Sequence, residues 1–512
     1  MSLMNPCANR FDAQAAGRYE AREADWRNGA VTYQVLVDRY APAENLQAKR
    51  HLYPAPKRLR DWSEVPQQGH FVEEVRLWSH ELDFWGGDLH SLRSRLDHIV
   101  RLGADVLYLN PICEAFTNHK YDALDYQRVS PEYGTREDVR ALAAELHRHG
   151  MKLVLDGVFN HMGRQAPRFQ DARSNPQSPW RDWFIFDPQM PGGARSWMQA
   201  ENLPELNMEN PTVQAYLWGD TGSVVRSYLR DGVDGWRLDV AHDIGMNLLH
   251  ALTQAAHEEK PGSLVVGELW NWPKEWFPAV DGVMNFSLRE IVLRCLSGRL
   301  PAATALRMIA RMVDECGIEP LLKSWLMLDN HDTIRLTQAL PDEPARRMAQ
   351  LLQFTLPCAP NLYYGSELGM TGGADPEMRA PMRWDLATDD NPTWQWTRQL
   401  IELRRSQRAL RVGDWRAAEC ERLLAFERHT DRVGETVLVL ANPSADVVQQ
   451  DVLFANSKLM NNSPICDLLQ PGRVHKPFVA GFLEVELQPW EVRVLQPDVR
   501  PLEGYTTYKR VR

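Results

Sequence analysis

From about residue 30 to residue 400, short apolar runs rich in β-branched and aromatic residues alternate with segments of helical periodicity. The pattern predicts strands over 32–38 (TYQVLVD), 105–110 (DVLYLN), 152–158 (KLVLDGV) and 235–240 (GWRLDV). It continues with 264–269 (LVVGEL), 282–286 (GVMNF), 324–330 (SWLMLDN) and 361–365 (NLYYG). Helices are expected between them, for example over 89–102 and 136–149. Eight strands interleaved with helices imply an α/β fold with a parallel sheet, and eight is the number that closes a (β/α)8 TIM barrel. A doubly wound open sheet fits less well, because no G-x-G-x-x-G follows the first strand.

Two stretches leave this rhythm. Residues 161–211 are rich in Pro, Asn, Arg and Trp and are too long for a strand-to-helix loop, so a small inserted domain is expected over the barrel mouth after the third strand. After about residue 410 the pattern becomes short alternating strands (LLAFERH, TVLVLANP, FLEVELQP, EVRVL), as in a C-terminal antiparallel β-sandwich domain. The expected division is an N-terminal extension 1–28, a barrel 29–410 carrying a lid 161–210, a β domain 411–500 and a tail 501–512.

Composition narrows the function classes. A chain of 512 residues exceeds one core, which agrees with a large domain plus attachments. The net charge of −10 is spread along the chain, so no basic face marks a nucleic-acid partner. The basic end, 508–512, reads as a solvated tail. No apolar run is long enough to span a bilayer, and the first residues lack a signal-peptide layout, so a cytoplasmic protein without a membrane partner is expected. Cys7, Cys113, Cys295, Cys316, Cys358, Cys420 and Cys466 form no C-x-x-C pair; reduced, mostly buried thiols are expected, with neither a zinc site nor a disulfide framework. The 18 Trp suit a carbohydrate binder, since indoles stack on the apolar faces of sugar rings.

The candidate chemistry lies at strand ends, where a barrel carries its active site. In 235–240, Arg237 and Asp239 share one face of the strand. A charged pair on a covered strand is costly unless paired and used, and Arg237 would hold Asp239 ionised, as a nucleophile requires. A structural ion pair is the even alternative. Glu268 ends the next strand among apolar and aromatic neighbours, which would raise its pKa toward that of a general acid. His331 and Asp332 leave a third strand. Three carboxylates with few convergent histidines make a poor zinc set, but they suit glycoside hydrolysis, which uses two carboxylates about an oxocarbenium-like centre.

These segments occur in the order found in the α-amylase family, glycoside hydrolase family 13: Asp156-Gly-Val-Phe-Asn160-His161, then 235–239, Glu268, and Asn330-His331-Asp332. The resemblance covers roughly residues 30–495. It implies Asp239 as nucleophile, Glu268 as acid/base and Asp332 as a third carboxylate gripping sugar hydroxyls. It implies Arg237 as the orienter of Asp239, His161 and His331 as hydroxyl binders, and Asp156 and Asn160 as supports. The segment 118–122 (NHKYD) resembles the one whose tyrosine stacks on the sugar at the cleavage site, which is Tyr121 here. The stretch 363–379 implies Asp375 and Arg379 as holders of donor-side sugars.

Leu203-Pro-Glu-Leu-Asn207 and Glu268-Leu-Trp270 are most similar to the neopullulanase, cyclomaltodextrinase and maltogenic amylase group, with Trp270 stacking on an acceptor sugar. The first strand starts near residue 32, so the N-terminal β domain usual in that group is not expected in this sequence. No cofactor is expected to be required. Calcium stays open, because Asp38-Arg-Tyr-Ala-Pro42 lacks the group's Asn-Gly-Asp. The expected partner is an oligosaccharide or α-glucan, and the oligomeric state is left open. Competing readings are a transglycosylase or isomerase using the same intermediate, an α-glucosidase, and a non-catalytic sugar-binding relative.

Overall fold

The computed structural model describes residues 10–500, 505–508 and 511. Cys7, the first nine residues of the extension 1–28 and most of the tail 501–512 lie outside the described residues.

Eight parallel strands close a barrel: β1 (Thr32–Val35), β2 (Val106–Leu109), β3 (Lys152–Gly157), β4 (Gly235–Leu238), β5 (Leu264–Leu269), β6 (Gly282–Asn285), β7 (Trp325–Met327) and β8 (Ala359–Tyr363). Thr32 pairs with Val106 on one side and Asn361 on the other, which seals the ring. These strands are buried on both faces, which is why they read as near-continuous apolar runs.

Several strands are shorter than their apolar runs, because the chain turns before the run ends. β1 stops at Val35, and a helical turn Val37–Tyr40 follows. β8 begins two residues earlier than expected, at Ala359 opposite Trp325, and Gly365 at φ 84° turns the chain away after Tyr364. The helix expected over 89–102 is two, Leu89–Ser94 and Leu96–Leu102. It breaks at Arg95, whose carbonyl accepts from the Tyr40 hydroxyl at 3.4 Å and whose guanidinium lies 4.9 Å from the Trp384 ring. The helix α1 (Arg136–Arg148) forms as its signals say, with Thr135 and Asp138 in a capping box.

After the barrel come seven strands: β9 (Asp414–Ala417), β10 (Leu424–His429), β11 (Val437–Ala441), β12 (Val448–Leu453), β13 (Ile465–Asp467), β14 (Phe482–Leu487) and β15 (Val492–Pro497). They form an antiparallel five-stranded sheet, β9-β10-β11-β15-β13, and a pair, β12-β14. Their inner residues, among them Leu438, Leu440, Val448, Leu483 and Leu487, share one core. The polar run Gln449-Gln-Asp451 concealed β12, which buries fully only Val448 and Val452.

Four further helices frame the barrel wall on this side: α2 (Phe286–Leu296), α3 (Ala302–Cys316), α4 (Glu343–Thr355) and α5 (Pro392–Ser406). The last carbonyls of α4 have no partner within the helix. Buried arginines supply the donors. Arg404 of α5 donates to Phe354 O at 2.6 Å and to Gly29 O, while Arg428 of β10 donates to Thr355 O at 2.8 Å, Leu356 O at 3.0 Å and Gly413 O. The C-terminal domain is therefore stapled to the barrel through the end of α4.

The sequence reading gave no expectation for the segment 42–88 between β1 and the helix Leu89–Ser94. This segment makes two short ribbons, Arg58–Leu59 with Asp83–Phe84 and Phe71–Val72 with Leu77–Trp78. Arg76 at the tip of the second ribbon reaches Glu201 of the 161–210 insertion at 2.6 Å.

Arg428→Met should leave three buried carbonyls short of a donor. With unsatisfied buried groups costing about 1–3 kcal/mol each, a loss of roughly 3 kcal/mol or more in unfolding free energy is expected in denaturant titrations. An unchanged midpoint would remove the staple from the account of domain docking.

Candidate active site

The side chains at the C-terminal mouth of the barrel converge on one guanidinium. Arg237 of β4 is fully buried. Its Nη1 lies 2.8 Å from Asp156 Oδ1 of β3 and 2.9 Å from Asp239 Oδ1, and its Nη2 lies 2.9 Å from Glu268 Oε2 of β5. Three neighbouring staves thus send carboxylates to one cation. Burial makes each of these charges costly, and their mutual pairing in fixed orientation is what makes the set tolerable inside a barrel.

β4 ends at Leu238, before the carboxylate it was expected to carry. Asp239 follows the strand, and Val240 sits at φ 37°, ψ 49°, a left-handed conformation that a β-branched residue rarely adopts. The turn aims the Val240 N–H at Glu268 Oε2, 3.0 Å away. Glu268 Oε1 accepts from Trp270 Nε1 at 3.1 Å. The expectation of an apolar surrounding for Glu268 is therefore corrected: both its oxygens face donors. Trp270 stacks on Phe286 at 3.7 Å between centroids and remains half exposed.

Asp332, beyond β7, completes the group from the other side. It lies 3.1 Å from His331 Nε2 and 3.4 Å from Arg379 Nη2. Arg379 also pairs with Asp375 at 3.3 Å and donates to the His331 carbonyl at 2.8 Å. Asp375 in turn lies 3.6 Å from His80 Nε2 in the 42–88 segment.

Tyr121 joins the two halves. Its hydroxyl donates to Asp156 Oδ2 at 3.0 Å and contacts His331 Nε2, and the two rings lie parallel 5.4 Å apart. His331 Nδ1 faces the Gln34 amide at 2.9 Å, so with Gln34 Nε2 as donor the ring proton is assigned to Nε2. His161 differs. It is buried, stacks on Trp197 at 5.8 Å, and neither ring nitrogen has a hydrogen-bond partner. Burial pushes it down to about 4, and burial together with the charges of Arg237 and Arg379 lowers His331 well below its ordinary value, so both rings are neutral at neutral pH.

Burial raises Asp239 well above the usual carboxylate range. Arg237 opposes this, and the charges of Glu268, Asp156 and Asp332 reinforce it. The expectation that Arg237 alone decides in favour of the ionised form is thus corrected, because one cation is divided among three carboxylates. Burial raises Asp156 and Asp332 too. Asp375 is the exception: burial acts upward, but the hydrogen bond to His80 and the charge of Arg379 hold it at about 2.

The twelve residues singled out in the sequence lie in or beside this mouth. Asp156 is more than a support, since it shares Arg237 and takes the hydroxyls of Tyr108 and Tyr121. The sequence reading passed over Tyr108, Gln34, Asn110, His80 and His119. A signal was available for Gln34, an uncharged polar residue fully buried inside an apolar strand, which bonds Asn110 and His331. His119 Nε2 reaches Glu81 at 3.1 Å, a long-range contact that no local pattern announces.

A divalent cation has no ready cradle after β1. Asp38 already receives Arg39 Nε at 2.8 Å, Trp85 N and Gly86 N, and among the described residues no group of three or more His, Cys, Asp or Glu is placed to hold a metal ion.

The alpha-amylase catalytic-domain profile matches residues 34–414. Neopullulanase 2 of Thermoactinomyces vulgaris is 32% identical over 421 residues, 79% of this chain and 68% of that protein. The intracellular maltogenic amylase of Bacillus subtilis (strain 168) is 31% identical over 457 residues, 86% of this chain and 73% of that protein. Among solved structures, the ligand-free cyclic α-maltosyl-(1→6)-maltose hydrolase of Arthrobacter globiformis superposes with a TM-score of 0.76 at 29% identity, covering 92% of this chain and 99% of that one.

The crowded carboxylates make a prediction about stability. A carboxyl whose pKa is raised in the folded state contributes stability that is fully present below its unfolded pKa and is lost as pH rises from there through the folded pKa. Asp239→Asn removes that loss. Its melting temperature should exceed that of the parent at pH 8, with the advantage shrinking toward pH 4, where the parent's Asp239 is protonated. A gain that is largest at pH 4 would contradict the assigned direction.

Proposed function

The chain belongs to the alpha-amylase family of glycoside hydrolases, and from that premise we propose that it cleaves α-glucosidic bonds of maltodextrin-type α-glucans with retention, Asp239 acting as nucleophile and Glu268 as acid/base. The observation that carries this reading is the shared grip of Arg237 on Asp239 and Glu268. Two carboxylates held by adjacent nitrogens of one guanidinium suit the roughly 5–5.5 Å spacing of a retaining pair better than the ~6.5–9.5 Å that an inverting pair needs for water.

The roles follow from which oxygens are engaged. Arg237 takes Asp239 through Oδ1 and leaves Oδ2 out of the pair. Oδ2 attacks the anomeric carbon. Glu268 Oε2 is fixed by the Val240 N–H, so Oε1, whose partner is the half-exposed Trp270, is the oxygen that delivers the proton. The glycosidic oxygen takes that proton as its bond to the anomeric carbon breaks, and the leaving chain departs as an alcohol. Glu268, now a carboxylate, removes a proton from water. That water oxygen bonds to the anomeric carbon, and Asp239 departs as a carboxylate. The chemistry of this cycle requires one proton on the acid and an ionised nucleophile at the moment of attack.

The remaining side chains grip the sugar. Neutral His161, with both ring nitrogens free of partners, and neutral His331 bind hydroxyls, as does Asp332. Tyr121 packs beside the ring, and Asp375 with Arg379 takes the next donor-side sugar. Residues 29–410 then form the catalytic unit, 161–210 its lid and 411–500 the accessory domain. Among the described residues no helix is long and apolar enough to cross a membrane. The exposed face of Trp270 gives a second reading some weight: a sugar stacked there could capture the intermediate in place of water, giving transglycosylation.

Asp239→Asn should lower turnover of maltotriose by a factor of at least about 10⁴ while sugar still binds, since the nucleophile's charge is lost and its shape kept. NMR of the first-formed product should show the α-anomer before mutarotation. A β-anomer appearing first would sink the retaining mechanism. The product pattern from maltose, maltotriose, cyclodextrin, pullulan, isomaltose and sucrose separates hydrolysis from transfer and fixes the linkage.

A further inference from the structure

Four side chains beside the reacting carboxylates close a ring of hydrogen bonds. Gln34 of β1 sets its Nε2 3.0 Å from Asn110 Oδ1, just past β2, and 2.9 Å from His331 Nδ1, beyond β7. Asn110 Nδ2 donates to the Tyr121 hydroxyl at 3.0 Å, and that hydroxyl contacts His331 Nε2, which completes the circuit. Gln34, Asn110 and His331 are buried, so water does not compete for these groups. Among the described residues Gln34 Oε1 has no hydrogen-bond partner, so the amide gives to the ring and takes nothing from it.

The protons can run round this ring in only one direction. The Tyr121 oxygen faces Asp156 Oδ2 at 3.0 Å, the Asn110 amide and His331 Nε2, yet it owns one proton and two lone pairs. Asp156 is the acceptor among them, since its Oδ2 also takes the Tyr108 hydroxyl at 2.6 Å and its Oδ1 takes Arg237 at 2.8 Å. The Tyr121 proton therefore points to Asp156, and Asn110 and His331 both donate to the Tyr121 oxygen. A neutral His331 that donates from Nε2 needs a donor at Nδ1, and Gln34 is that donor. In the reverse direction a single hydroxyl proton would have to serve all three groups as acceptors, leaving buried polar contacts unmet.

We propose that Gln34 is a positioning residue for glycosidic cleavage, which locks His331 in its Nε2–H form and, through the ring, keeps the Tyr121 proton on Asp156. The inference rests on the functional reading above and adds a residue that takes no part in it. Two effects reach the reacting groups. His331 Nε2 lies 3.1 Å from Asp332 Oδ2, so its N–H faces that carboxylate, where a lone pair would repel it. The Tyr121 proton also offsets part of the Asp156 charge, so Arg237 acts more strongly on Asp239 and Glu268. Hydrogen bonds to sugar hydroxyls strengthen in the transition state, so the wrong His331 tautomer lowers kcat more than it raises KM.

The test begins with the parent protein. After nitrogen-15 labelling of histidine, NMR correlations across the imidazole separate Nε2–H from Nδ1–H rings, and a His331→Asn sample identifies this ring among the 15 histidines. The parent should show Nε2–H, and Nδ1–H would overturn the proposal. Gln34→Glu keeps the shape and replaces the donor with an acceptor, so His331 should move to a form protonated at Nδ1. Gln34→Met removes the donor and should leave both tautomers populated. On maltotriose, kcat of either variant should fall about 10–100-fold, the scale of one hydrogen bond to a charged group, while KM stays within about threefold. A His331 tautomer unmoved by Gln34→Glu, an unchanged kcat, or a loss carried by KM alone would each take Gln34 out of this role. Circular dichroism checks each variant, and if one fails to fold, the parent spectrum and the other variant decide. A parent that turns over no α-glucan refutes the functional reading instead. The tautomer comparison needs no turnover, so it then still decides whether Gln34 sets the ring.

Discussion

The active site depends on one ion cluster: a guanidinium with no exposed surface, faced by carboxylates from three adjacent staves. A buried charge is tolerated only when paired and hydrogen-bonded. Here the pairing is deliberately uneven, with more negative groups than one cation can neutralise. That imbalance forces the cluster to retain a proton into the range where isolated carboxylates have lost theirs. A retaining hydrolase needs such a store, one proton that can stand on the acid when a sugar arrives and be recovered from water afterwards. The direct pairing of β4 with β3 and β5 is what brings the staves near enough for a single arginine to serve all three.

Backbone strain flanks this cluster in two places. Val240 adopts a left-handed conformation that gives its N–H to Glu268, and Lys120 adopts one at φ 66° immediately before Tyr121. Strain of about 1–3 kcal/mol per residue persists only where surrounding contacts over-determine it. For Lys120 those contacts are visible. The ammonium is buried, 3.4 Å from Glu132 and about 5 Å from the Phe84 and Tyr133 rings. Lys57 holds the same Glu132 at 2.5 Å, and the two lysines outweigh burial to keep that carboxyl at about 2. The loop that presents His119 and Tyr121 is thus pinned from beneath by a charge pair remote from any sugar.

Much of the architecture was legible because barrel strands are apolar on both faces and therefore conspicuous. Arg237, Asp239, Glu268 and Asp332 stood out as charges where apolar residues belong. What stayed hidden has a common physical cause. β12 fully buries only two of its six side chains, so its Gln-Gln-Asp stretch resembles a loop. Tyr108 carries no charge and blends into its strand, whereas Gln34 was a visible polar interruption that was passed over. The expectation of apolar surroundings for Glu268 failed for a different reason: sequence neighbours are not spatial neighbours, and its oxygens face the charge of Arg237 and the donors of Val240 and Trp270 instead of an apolar wall.

The segment 42–88 shows the same limit with larger consequences. By sequence it is a long polar stretch after a strand, yet it supplies one side of the cleft. Asn118 fastens to it through the His80 and Asp83 carbonyls, both at 2.8 Å, and Glu81 holds His119. His80 then reaches Asp375, whose other partner, Arg379, reaches Asp332. A continuous chain of charge-assisted contacts therefore runs from this loop to the third carboxylate. Because Arg76 of the same loop also grips Glu201 of the insertion, the two excursions from the barrel close on each other across the mouth. Under the proposed function these two segments would shape the donor side of the cleft, yet they carry none of the three carboxylates assigned to catalysis; those carboxylates stand in short local motifs, whereas the contacts between the two excursions are long-range and leave no local pattern.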